Sequence, residues 1–242
     1  MPAFFAEFHA FSLHHAVVIA VCALVVIGLC LLGRWAGTRA ELRLRRAWIA
    51  VLIAWQAWML VWWLLPANFE PQDSYPLHLC DLAVWLAPVA LLSERRWSRG
   101  LLYFWAIGLS TQAFATPVLS EGAGEWRYWS FWIGHTQIVG SAVYDIVVRR
   151  FRPHAGDLGF AVGVGAAYAA AMFAFNVRTG FNYGYVGPSS PGPRTVLDAL
   201  GPWPLRAVWV VLLATLAQVL AWLPWAAARG AAAGQVGAGG VR

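Results

Sequence analysis

The apolar residues of this chain fall into seven runs, each near the length a helix needs to cross a bilayer. About 20 mostly apolar residues, rising 1.5 Å each, span the hydrocarbon layer. The runs cover residues 15–32, 47–65, 77–92, 101–119, 128–148, 158–177 and 205–227. Gln56 interrupts the second, and Pro117 lies near the end of the fourth. The third is short and opens with polar side chains. No internal repeat relates the runs, so the pattern does not suggest an inverted-repeat transporter. It predicts an all-α, polytopic helical bundle of about seven transmembrane helices. Residues 1–229 form a single domain in this reading, and the Gly- and Ala-rich residues 230–242 a disordered tail.

Charge orients the bundle. Every basic residue besides histidine is an arginine, 17 in all. Thirteen sit in the odd-numbered connections and the C-terminal tail; Arg127, Arg178, Arg194 and Arg206 fall on the other side. Arginine excess marks the cytoplasmic face. The expectation is therefore an N-terminus outside, a C-terminus inside, and a multi-pass protein of the inner (plasma) membrane. No basic segment precedes the first run, so it reads as a retained helix and not a cleaved signal. A chain that is 60% hydrophobic and 12% charged lacks the polar surface of a soluble domain. The formal net charge is +6, but it comes in short clusters, which speaks against a nucleic-acid partner. Many of the 16 tryptophans lie near helix ends, as interfacial anchors do.

Candidate chemistry gathers at the non-arginine end. Three cysteines without a CxxC pair make no disulfide framework. Cys22 and Cys30 read as buried apolar positions, whereas Cys80 lies in the polar opening of the third run, Tyr75-Pro76-Leu77-His78-Leu79-Cys80-Asp81. On a helix His78 and Asp81 share a face, while Cys80 points ~200° away from His78. A base for Cys80 would then come from another helix. His135 is the candidate, about 10 Å below the outer end of the fifth run. Gln112, Thr116, Thr136, Gln137 and Asn176 lie at similar depth; polar residues inside spans face the bundle interior and mark sites or interhelical bonds. Asp145, near the other end, is expected to pair with Arg149 or a neighbouring arginine. The connection 178–204 is long for a bundle, reading as a rigid cap or a lid with Asn182 or Tyr185 reaching inward. His78, Cys80, Asp81 and His135 are also possible zinc ligands, but at no recognised spacing. No metal or cofactor is implied.

Three segments carry a resemblance: Pro76-Leu77-His78-Leu79-Cys80, Trp129-Ser130-Phe131-Trp132 leading into Gly134-His135, and Asn182-Tyr183 through Leu200-Gly201-Pro202-Trp203-Pro204. Together they resemble the YwaF-like family of bacterial integral membrane proteins, distantly similar to an animal family of transmembrane phospholipid acyltransferases. The resemblance implies a helical bundle with an intramembrane site in which Cys80 is the nucleophile and His135 the base. Acyl transfer between phospholipids would pass through a thioester. The turn 187–194 departs from the more basic segment usual there, which bears on headgroup preference. The expectation is a lipid acyltransferase or acyl hydrolase whose partners are membrane phospholipids or another lipid. His78, Asp81, Gln112, Thr116, Gln137, Asn182 and Tyr185 would line the substrate site. The alternative is a non-enzymatic carrier, sensor or complex subunit that uses the same pocket for binding.

Overall fold

The computed structural model describes residues 6–188 and 199–239. Seven helices match the seven apolar runs in order: α1 (Leu13–Trp35), α2 (Thr38–Leu64), α3 (Leu79–Ser93), α4 (Arg96–Tyr103), α5 (Trp126–Val147), α6 (Ala155–Thr179) and α7 (Leu205–Gly239). α4 continues as a π-helix, Phe104–Ser110, and ends in a short α-helical turn, Gln112–Ala115. Two ends depart from the sequence reading. α2 begins nine residues before its apolar run, taking Arg39, Arg43, Arg45 and Arg46 into the helix. α7 stays helical to Gly239, through most of the segment read as a tail; residues 240–242 and the 189–198 part of the long connection lie outside the described residues.

The helices divide into two kinds. α1, α2, α6 and the Leu205–Arg229 part of α7 are long and apolar enough to cross a membrane. They expose large side chains such as Leu24, Val51, Val177 and Leu212 outward, as lipid-facing surfaces do. α3, α4 with its π-helix, and α5 form the interior. α3 packs against α2, α4 and α5; α1 lies on α5, α7 on the π-helix, and α6 on α4. These central helices escape the need for uniform apolarity because their faces meet protein. Ala83, Ala87 and Ala90 of α3 are fully buried, and such small side chains let neighbouring helices approach closely. Leu102, Phe104, Ile138 and Ala142 fill the space between them.

Arginines from the odd-numbered connections meet at one end of the bundle. Glu94, which ends α3, accepts from Arg45 of α2 and lies 2.8 Å from Arg149. Asp145 of α5, almost wholly buried, takes Arg99 of α4 at 2.8 Å and Arg149 at 3.3 Å. Arg45 also pairs with Glu41 at 3.2 Å, and Tyr144 donates to that carboxylate. Arg96 holds Asp157 at the start of α6, and Arg229 donates to the Pro153 carbonyl. Removing one member of a buried pair leaves an uncompensated charge, at a cost of about 3–5 kcal/mol. Asp145→Ala, which strands Arg99, should lower the unfolding free energy in detergent by that order. Arg99→Ala added to it should cost less than the sum of the two single changes.

The hydrogen bond from Arg45, reinforced by the charge of Arg149, holds the Glu94 carboxyl below the ordinary glutamate range. A folded-state value below the unfolded one contributes stability above the unfolded value, ~4.3 for glutamate. That contribution is lost as pH falls through the folded value. A pH series of unfolding midpoints should therefore show an acid limb that is shallower in Glu94→Gln.

Candidate functional site

At the opposite end, α2, α3 and α5 enclose a cavity of about 260 Å³. Cys80, the second residue of α3, and His135 of α5 both line it. Their contributions from different helices follow from the local sequence. α3 starts at Leu79 because Pro76 and the extended backbone of His78 precede it. The Asp81 carboxylate then accepts from the His78 N–H at 2.9 Å and caps the first turn. The N–H groups of Asp81 and Leu82 donate to the His78 carbonyl, and Cys80 precedes them in the first turn, where N–H groups commonly lack an intrahelical acceptor.

His135 is held by its own helix. Nδ1 lies 2.7 Å from the Phe131 carbonyl oxygen, which can only accept, so Nδ1 carries the proton. Nε2 is left as the basic nitrogen of the neutral ring. The imidazole rests on the Phe131 ring at 4.4 Å, with Phe114 edge-on at 6.4 Å. Among the described residues Cys80 and His135 make no direct hydrogen bond; both line the same cavity.

The cavity wall has an apolar part and a polar part. Met59, Leu60, Val84, Trp85 and Ile138 are apolar. Asp73, Ser74, His78, Asp81, Glu121 and Arg127 supply polar groups. Arg127 pairs with Glu70 at 3.1 Å, Asp73 at 3.7 Å and Glu121 at 3.8 Å, and its guanidinium lies over the Trp63 ring. The His78 ring packs against Tyr183 at 4.9 Å and Tyr185 at 5.6 Å. Tyr183 is in turn clasped by Asn176, the fully buried polar residue near the end of α6. Asn176 donates to the Tyr183 carbonyl and accepts from its N–H, while the Tyr183 hydroxyl donates to the Pro71 carbonyl. Tyr168 donates to the Leu77 carbonyl just before α3. The described part of the 178–204 connection is thus a buttress behind His78.

Of the residues singled out from sequence, Cys80, His135, His78 and Asp81 are brought together, with Tyr185 behind His78. Others lie elsewhere. Gln112 and Thr116 are exposed and outside the cavity. The π-helix explains this: its wider turn changes the rotational register of every residue beyond Ser110, so α-helical spacing misplaces them. Gln137 is buried and accepts a hydrogen bond from Gln56 at 2.8 Å, joining α2 to α5. The Asn182 side chain accepts from the Gly187 N–H within its own loop. Asp145 pairs with Arg149 and Arg99, within the range of partners its position suggested. Gln56, Trp63 and Arg127 line the cavity although sequence gave them no role there; Gln56, as the polar interruption of the second run, was the available signal.

Comparison with known proteins gives one match. The model of the TMEM164 family covers residues 10–222, most of the chain and every helix of the cavity. It lends no support to the YwaF-like assignment made on the three motifs. Searches of curated proteins and of solved structures returned no match.

The cavity makes Cys80 distinct among the three thiols, since Cys22 and Cys30 are buried in helix packing. A small uncharged maleimide should label Cys80 at least ~tenfold faster than either, as peptide mass spectrometry would measure. Equal labelling at all three would contradict an accessible cavity at Cys80.

Proposed function

The chain belongs to the TMEM164 family, and from its site we infer that it is a cysteine-dependent acyl-transfer enzyme acting on membrane lipids. The observation that carries this reading is that Cys80 and His135, from different helices, line one cavity, with His135 Nε2 as the free basic nitrogen. His135 takes the Cys80 thiol proton, and the sulfur attacks the carbonyl carbon of a phospholipid ester. The carbon–oxygen bond breaks, the departing alkoxide receives the proton from His135, and a lysophospholipid leaves. An acceptor hydroxyl, or water, then gives its proton to His135 and attacks the thioester. The carbon–sulfur bond breaks, and the thiol is restored. The acceptor decides between transferase and hydrolase.

The Cys80 N–H, at the start of α3, is the donor best placed for the developing oxyanion, since those of Asp81 and Leu82 already donate to the His78 carbonyl. Gln112 and Thr116 lie outside the cavity and take no part in this. The two-part wall suits a lipid: the apolar part accepts chain, and the polar part with His78 and Asp81 accepts glycerol and headgroup. By the positive-inside rule the arginine-rich end is cytoplasmic, which puts the reaction in the outer half of the cell membrane.

Acyl capture on the purified protein tests this. Incubated with phospholipid, the wild type should acquire a hydroxylamine-labile acyl group on Cys80. Cys80→Ala should acquire none, and His135→Ala should be slowed by about 10²–10⁴-fold while still folding. Absence of acylation at Cys80 with every phospholipid offered would refute the covalent mechanism and leave the cavity a binding site without turnover.

A further inference from the structure

Glycine in the middle of a spanning helix costs stability relative to alanine, so each instance needs a reason. The usual one is close packing of a neighbour against the bare backbone. Gly33, Gly100 and Gly140 follow it. A Cβ at Gly33 would meet the Tyr144 ring at 2.7 Å, one at Gly100 would meet Asp157 at 2.9 Å, and one at Gly140 would meet Val26 at 3.0 Å. Gly134 does not. It is buried in α5, yet a Cβ there would meet only Val84, at an ordinary 3.9 Å. Nothing has moved in to use the missing side chain.

The space beside Gly134 is the cavity itself. Gly134 precedes His135, and Ser130, Phe131 and Ile138 of the same helix line the cavity with it; Val84, one helical turn beyond Cys80, faces it from α3. The void therefore opens on the cavity that Cys80 and His135 share, beside the apolar Val84. A methyl group would fit without displacing any atom, and packing alone would favour it.

We propose that Gly134 is a specificity-determining residue: it keeps open the space that the acyl chain of the substrate occupies beside Cys80, so its side-chain volume sets the longest acyl group admitted. This rests on the reading of Cys80 and His135 as an acyl-transfer pair. Long unbranched acyl chains need the space; short ones stop before it. A larger side chain at position 134 discriminates by length and leaves Cys80 and His135 in place.

Two readouts on Gly134→Ala, Gly134→Val and Gly134→Leu test the proposal, using phospholipids of one headgroup with hexanoyl, decanoyl or palmitoyl chains. The first is protection of Cys80 from maleimide, which reports occupancy without turnover. The second is acylation of Cys80. In wild type, palmitoyl lipid protects at least as well as hexanoyl lipid. Along the series, protection by palmitoyl lipid falls about tenfold or more while protection by hexanoyl lipid stays within about threefold, and acylation rates follow the same order. Equal loss at all chain lengths, or no loss in Gly134→Leu with its unfolding midpoint unchanged, overturns the proposal. Should Gly134→Leu unfold, Gly134→Ala and Gly134→Val decide on the same ratio. Length-dependent protection without acylation in any variant would sustain the role of Gly134 and refute the enzymatic reading instead.

Discussion

The carboxylate of Asp145 is the constraint on which the architecture turns. A carboxylate that deep between helices is tolerable only with guanidinium partners, and Arg99 and Arg149 provide them. Glu94 repeats the arrangement with Arg45 and Arg149, so one knot of charge joins α2, α3, α4 and α5. Lipid supplies no comparable force, because hydrocarbon chains solvate leucine as well as other leucines do. With the central helices tied at one end, α2, α3 and α5 can enclose a cavity at the other.

Depth within the bundle, and not exposure to solvent, organises the chemistry. The four lipid-suited helices lie around the outside, and the three whose sequences are too short, too broken or too polar for lipid lie within. A thiol and an imidazole held near apolar walls lose competing water. Polar groups at the mouth, the Arg127 cluster among them, sit where a lipid headgroup would lie. Tyr183, anchored through Asn176, stiffens that mouth from behind by fixing the ring against which His78 packs.

Much of this was legible in the sequence. Seven apolar runs became seven helices because a bilayer demands both the length and internally satisfied backbones. Only α2 begins far from its apolar run, since its arginine-bearing turns extend past the hydrocarbon and apolar length does not register them. The meeting of Cys80 and His135 at one cavity followed from their common depth. What sequence spacing missed depended on rotation and long-range contact. A π-helix has no residue signature, so depth alone counts Gln112 and Thr116 among the lining residues, from which the structure leaves them out. The clasp between Asn176 and Tyr183 joins a helix end to a loop through backbone atoms, which no side-chain pattern announces. Gly134 stood in plain view within a motif, but its meaning depends on what does not surround it.

The hydrogen bond from His135 to the Phe131 carbonyl has a consequence of another kind. In many nucleophilic sites the base is oriented by a carboxylate or amide side chain, which evolution can exchange and a sequence can reveal. Here the orienting atom belongs to the main chain of the same helix, one turn earlier. Any residue at position 131 supplies it, so a point change there alters packing but spares the tautomer. The tautomer of His135 is set by the helix itself and inherits the durability of the fold.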